Sequence, residues 1–235
     1  MTTGPAIALK GVHLSLGDGA GRVHILKGVD LEIEAGSSTG LVGPSGSGKS
    51  TLLMVMAGLE RADKGSVIVA GSELTPLSED QLARFRGRNV GIIFQSFHLV
   101  PNMTALENVA VPLELAGDPK AFDKARAELE AVGLGHRLSH YPAQMSGGEQ
   151  QRVAVARALV VEPEILIADE PTGNLDAATG EQIVELMFAA IARRRTTLVL
   201  VTHDPALAER CDRVVRMRSG QVEEEHHTSP AEARA

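Results

Sequence analysis

Along the first third of the chain, short runs that alternate apolar and polar residues are set off by clustered glycines. Residues 7–16 and 29–34 alternate in this way, with Gly17, Gly19 and Gly21 between them, which predicts antiparallel strands joined by a glycine-rich turn. Residues 38–42 read as a short apolar strand that runs straight into a glycine-rich loop. A helix is expected over 50–58, where Leu, Met and Ala continue unbroken to Gly58. Strand pattern returns at 66–69, with a turn near Gly71. From about 79 to 158 the pattern is mostly helical, with a charged amphipathic stretch at 121–132 and another helix at 149–158. Strand and helix signals then alternate through 165–168, 180–194, 197–202 and 205–210. Residues 213–224 read as two short strands around Ser219-Gly220, and 226–235 as a disordered tail. Such alternation, with one helical insert, predicts an α/β fold on a mostly parallel sheet.

Composition narrows the function more than the fold. The chain has 235 residues, enough for one large domain with a buried core, and neither an internal repeat nor a long linker divides it. Its formal net charge of -7 argues against a general nucleic-acid binder, whose phosphate partners attract basic surfaces. The single cysteine, Cys211, has no intrachain partner, which suits a reducing compartment. The N-terminus has no apolar segment after a basic flank, so no secretory signal is expected. Apolar runs such as 165–168 and 198–201 fall far below the roughly 20 residues that cross a bilayer. Any membrane role therefore has to come through a partner.

The glycine-rich loop carries the first chemistry. Gly43-Pro44-Ser45-Gly46-Ser47-Gly48-Lys49-Ser50 fits G-x-x-x-x-G-K-[ST] between a predicted strand and a predicted helix. Glycines let the backbone wrap so that successive N–H groups point at phosphate oxygens, and the following helix adds its positive end. Lys49 would supply a point charge to the outer phosphates, Ser50 a hydroxyl for Mg²⁺, and Thr51 the next position of the same turn. Alone, the loop says only that a nucleoside triphosphate binds.

The second site is the strand Ile165-Leu166-Ile167-Ala168, which ends in Asp169 and Glu170. At the sheet edge Asp169 would face Mg²⁺, and Glu170 would orient or deprotonate a water in line with the γ-phosphate. A plain capping pair before Pro171 is the competing reading, and the phosphate loop upstream weighs against it.

Between these sites stands Met145-Ser146-Gly147-Gly148-Glu149-Gln150-Gln151-Arg152. Here the chain resembles the ABC ATPase family, over essentially all of residues 5–225. Gln95 in Phe94-Gln95-Ser96 resembles the Q-loop, Asn174-Leu175-Asp176 the D-loop, and His203 in Thr202-His203-Asp204 the switch histidine. The resemblance implies a P-loop ABC ATPase fold with a RecA-like core, an N-terminal antiparallel β subdomain and a helical subdomain inserted at about 96–158. It implies ATP and Mg²⁺ as ligands, with Ser50, Gln95 and Asp169 at the metal and Glu170, His203 and Gln95 at the reacting phosphate. Ser146, Gly147 and Gly148 open a helix whose free N–H groups form a second anion site. Together with Asp176 they would meet the ATP of a second copy, so that two chains close head-to-tail around two nucleotides.

The runs Phe94–Pro101, 104–109 and 168–176, with His203-Asp204-Pro205, are similar to the lipoprotein-release and macrolide-export group. Arg210-Cys211-Asp212-Arg213 is most similar to its YbbA-type branch. This implies an FtsX-like permease as partner on the inner face of the bacterial cytoplasmic membrane, and lipid, lipoprotein or other hydrophobic envelope substrates. Phe97, His98, Leu99, Val100 and Met103 form an apolar-rich stretch where such an ATPase receives its permease; either all are core, or some line an exposed groove. The family commonly stacks an aromatic residue on adenine. The equivalent position is about Leu16, so apolar contact from Leu16 or Val23 is expected instead. The alternative function is a non-transport ABC ATPase of DNA maintenance or translation. The first would insert a long coiled coil between residues 51 and 145, where no sustained heptads occur, and the second would need two cassettes.

Overall fold

The computed structural model describes residues 4–17 and 19–228. In chain order the elements are β1 (Ile7–Leu16), β2 (Val23–Ile33), β3 (Ser38–Val42), α1 (Lys49–Met56), β4 (Lys64–Val69), β5 (Ser72–Glu73) and α2 (Glu79–Asn89). There follow β6 (Val90–Phe94), α3 (Ala105–Leu115), α4 (Ala121–Ala131), α5 (Gly147–Leu159), β7 (Ile165–Asp169) and α6 (Ala177–Arg194). The chain closes with β8 (Thr197–Val201), α7 (Pro205–Ala208), β9 (Arg213–Arg218) and β10 (Gln221–His227). It divides into two compact units, one of residues 1–86 with 195–235 and the other Gly87–Arg194.

The first unit holds an antiparallel sheet in the order β2-β1-β4-β5 and the strands β10-β9-β3-β8. β3 lies parallel to both β8 and β9, and all five of its residues are buried, as are all five of β8. Burial on both faces is why these strands read as continuous apolar runs without alternation. β2 begins at Val23, earlier than the pattern predicts, because bulges in its pairing with β1 break the alternation of the segment that precedes 29. Cys211 is buried, and burial pushes its thiol up to about 12, so it stays protonated and unreactive.

The tail reading needs correction. β10 continues through His226 and His227, paired with Val214 and Arg213 of β9. Ion pairs of Arg213 with Glu225, Arg216 with Glu224 and Arg218 with Glu223 lace the two strands, so polar composition here marks a solvated edge strand. Residues 229–235, the rest of the expected tail, lie outside the described residues.

In the second unit α3, α4 and α5 pack around Val109, Leu113, Ala125, Leu129, Val153 and Ala156, all buried. α3 starts on a capping box, in which Thr104 accepts from the Glu107 amide and Glu107 returns the bond. β6 and β7 pair in parallel. β6 corrects the helical reading of 79–158: its five residues are an apolar run whose period fits helix or strand equally. Packing decides for strand, since a Cβ on Gly91 would lie 2.3 Å from the Ala158 carbonyl oxygen.

Candidate functional site

In the first unit, β3 delivers the chain to Gly43, which turns with φ 149. A Cβ there would sit 2.2 Å from the Met217 carbonyl oxygen, so only glycine passes. Pro44, Ser45 and Gly46 are exposed, and Ser47 and Gly48 are buried beneath them. α1 begins at Lys49 with Gly48 as its N-cap, and no side chain caps it. Its first amides are therefore left for an outside acceptor. Lys49 Nζ curls back to donate to the carbonyls of Gly43 at 2.8 Å and Pro44 at 3.0 Å. The buried Ser47 hydroxyl has no hydrogen-bond partner. A glycine passage, uncapped amides, a lysine resting on its own loop and an orphaned hydroxyl together fit an oxyanion such as a polyphosphate. Ser50 is exposed and Thr51 half-buried in the turn that follows.

The same unit places His203. Leu41 is level with Val201 in the parallel register, and the Thr202 amide donates to the Leu41 carbonyl at 3.3 Å. Exposed His203 thus leaves β8 at the edge where Gly43 leaves β3. Leu16 and Val23 face each other across β1 and β2 and are 37% and 57% exposed. β2 runs beside the loop, since a Cβ on Gly48 would meet Leu26 at 3.2 Å. An exposed apolar pair at the paired ends of β1 and β2 offers a flat contact for a base, without an aromatic ring.

In the second unit, Phe94 is level with Asp169 in the β6–β7 register. The two strand ends therefore deliver Gln95 and Glu170 side by side. Residues 165–168 are fully buried, whereas Asp169 and Glu170 are half-buried at the carboxyl edge, where ligands of open parallel sheets bind. Glu170 has φ 48, a left-handed conformation that costs a non-glycine residue about 1–3 kcal/mol and concentrates at functional sites. The turn is closed by the Gly173 amide on the Glu170 carbonyl at 3.0 Å.

α5 opens at Gly147 with Ser146 as N-cap. Ser146 Oγ accepts from the Glu149 amide at 3.2 Å, and the Ser146 amide donates to Glu149 Oε2 at 2.8 Å. Arg137 Nε donates to the other carboxylate oxygen at 2.9 Å. The Ser146 amide, outweighing the burial that opposes it, holds the Glu149 carboxyl below its ordinary range, and Arg137 adds to this. A Cβ on Gly148 would lie 2.5 Å from Thr179 Cγ2, and one on Gly147 3.4 Å from Leu175 Cδ2. The start of α5 thus packs against the turn that carries Asp176. Asp176 caps α6 through the Thr179 amide at 3.0 Å, and its carboxyl is lowered chiefly by the Thr179 hydroxyl.

Two residues escaped the sequence reading. Arg157, half-buried, donates to the carbonyls of Phe97 at 2.8 Å and His98 at 2.6 Å, and both of those residues have left-handed φ. An arginine inside the apolar run of α5 was the signal. Buried Asn108 binds the Val100 amide and the carbonyls of Val100, Met103 and Thr104. Asn174, which opens the D-loop resemblance, donates to the Gln95 carbonyl at 3.0 Å, a partnership that the sequence does not show.

Among the described residues no three or more His, Cys, Asp or Glu assemble into a cage that would hold a metal by themselves. Nor is any helix there long and apolar enough to cross a membrane. Ser50 in the first unit, and Gln95 and Asp169 in the second, each carry a hard oxygen donor of the kind that Mg²⁺ takes alongside substrate phosphates.

A phosphate-cradling loop between parallel strand and helix, with a carboxylate pair on another parallel strand, defines a nucleoside-triphosphate-hydrolysing α/β protein. The profile of the family described as ABC transporter matches residues 26–173, and the chain belongs to that family as an ATP-binding ATPase subunit. It is 50% identical over 213 residues to the uncharacterized ABC transporter ATP-binding protein YbbA of Escherichia coli K12, covering 90% of this chain and 93% of that one. It is 48% identical over 221 residues to the lipoprotein-releasing system ATP-binding protein LolD 2 of Caulobacter vibrioides, covering 93% and 97%. A solved dimer of the ATP-binding cassette MJ0796 with ADP and Pi superposes with a TM-score of 0.87 at 37% identity, over 95% of this chain and 99% of that one. The fold is that of an ABC ATPase, with antiparallel sheet, parallel core strands and helical insert.

Proposed function

We propose that this chain is the motor of a transporter in the bacterial cytoplasmic membrane: two copies close head-to-tail on two Mg-ATP and drive an FtsX-like permease from the cytoplasmic face. The substrates we infer are lipids, lipoproteins or other hydrophobic envelope molecules, as the LolD likeness suggests. In this reading the amides of 43–49 and the Lys49 ammonium hold the phosphates, and Leu16 and Val23 cover the base. Ser50, Gln95 and Asp169 hold Mg²⁺, which when bound offsets phosphate charge. Glu170 orients the attacking water, and His203 contacts the γ-phosphate. Ser146, Gly147, Gly148 and Asp176 belong to the nucleotide of the other copy, so ATP stabilises the dimer by mass action. The dimeric likeness of MJ0796 supports this arrangement.

The observation that carries the permease is the segment after Gln95. None of its members is fully buried: Phe97 and Met103 are half-buried, Leu99 is half-buried against the helical core, and His98 and Val100 are exposed. Arg157 and Asn108 hold its backbone by six hydrogen bonds to residues 97–104, which presents a fixed apolar surface for a partner helix. The test is Val100→Asp, with permease-stimulated and basal ATPase measured together. Stimulation should be lost with basal turnover and folding retained, and unchanged stimulation removes this segment from the interface.

A further inference from the structure

Gln95 is engaged on two sides by the loop after β7. Its Nε2 donates to Asn174 Oδ1 at 3.4 Å, a long bond, while Asn174 Nδ2 donates to the Gln95 backbone carbonyl at 3.0 Å. Its side chain lies across Gly173, where a Cβ would fall 2.6 Å from Nε2, 3.0 Å from Cδ and 3.2 Å from Cγ. The loop itself is pinned: the Gly173 amide binds the Glu170 carbonyl at 3.0 Å, and buried Gln151 Nε2 donates to the Pro171 carbonyl at 2.6 Å. Asn174 therefore ties Gln95 to the same turn that carries Glu170.

A carboxamide has one donor end and one acceptor end. A hard cation takes only the oxygen. With Nε2 drawn to Asn174 and the main chain anchored beside it, Oε1 is the end left for a metal or a water. The absence of a side chain on Gly173 is what allows the carboxamide to lie flat in that orientation.

We propose that Asn174, with Gly173 as its floor, is a positioning residue that orients the Gln95 carboxamide oxygen-first towards the divalent cation. This rests on the reading of Gln95 as a metal ligand. Partners of a ligand's far side fix its orientation, and removing one weakens metal binding about tenfold or more.

The test uses Mn²⁺ as the probe, with a non-hydrolysable ATP analogue, and reads free Mn²⁺ by electron paramagnetic resonance. Wild type, Gln95→Ala, Asn174→Ala and the double variant form a cycle. Asn174→Ala should weaken Mn²⁺ binding about tenfold, leave metal-free nucleotide binding and thermal unfolding unchanged, and add nothing to Gln95→Ala. Gly173→Ala should act in the same direction, because its Cβ displaces the carboxamide. Wild-type Mn²⁺ binding in Asn174→Ala, with Gln95→Ala impaired, overturns the positioning role and leaves the ligand reading standing. An equal further loss in the Gln95→Ala background also overturns it. Unimpaired Mn²⁺ binding in Gln95→Ala removes the ligand reading, and this proposal with it.

Discussion

α1 and α5 both begin on glycine-rich sequence and both lie where family resemblance expects phosphate, yet their first turns are built in opposite ways. α1 is capped by Gly48 with no side-chain acceptor, and Lys49 is folded over its own loop carbonyls. In α5 a capping box takes up the amides of Ser146 and Glu149, and Arg137 answers the carboxylate. Open amides seek an acceptor, whereas capped ones gain little from a new one. The difference teaches a division of labour. In the proposed arrangement the phosphate loop is a binder that a single copy can use, and the start of α5 is a stable surface that a nucleotide held by the other copy approaches.

The largest effect that sharpens this contrast is on turnover. Glu170→Gln should bind ATP yet lose about 10²–10⁴ in rate, because the water loses its base. An ATP-bound dimer should accumulate, in which both helix ends engage at once; near-normal turnover of the purified variant contradicts the role of Glu170. Next in size is Lys49→Ala, which removes charge-assisted bonds to phosphate and should weaken ATP binding by the isolated subunit about 10–100-fold in a calorimetric titration. Unchanged affinity would break the comparison at its first term.

Smaller effects probe α5. Ser146→Ala deletes the cap and should cost about 1 kcal/mol of stability by denaturant unfolding, while single-subunit ATP affinity stays at the wild-type value. The folded-state carboxyl of Glu149 lies below the ordinary glutamate value of 4.5. Its stabilising contribution is thus complete above that value and disappears as pH falls from 4.5 through the lower folded value. Glu149→Gln should flatten that part of the stability–pH profile. A profile that matches wild type there would show that the capping box does not hold the carboxylate as charged.

Much of the site was legible because its chemistry is local. Gly43 to Ser50 spells a backbone path, and Asp169-Glu170 ends an apolar run, so nearest neighbours specify both. What escaped depends on contacts distant in sequence. β6 is a five-residue apolar run whose strand state is decided by the approach of Ala158, and β10 is a polar strand held by cross-strand arginines. Asn174 meets Gln95 across 79 residues, and Arg157 reaches His98 across 59, so neither partnership leaves a local signature. From sequence the apolar stretch at 97–103 fits core and groove equally, because hydrophobicity does not tell which side of a chain a neighbour covers.

The division of labour is tested most directly by Ser146→Arg in the Glu170→Gln background, with ATP affinity of the single subunit and ATP-driven dimerisation measured on the same sample. In the proposed arrangement, arginine at the α5 cap obstructs the surface that the second copy's nucleotide approaches and leaves the phosphate loop untouched. Mixing it with Lys49→Ala restores at most one composite site per dimer, the one built from intact Lys49 and intact Ser146. The expected result is wild-type ATP affinity with no dimer for Ser146→Arg alone by light scattering. A dimer that forms with ATP as readily as its parent would contradict head-to-tail closure.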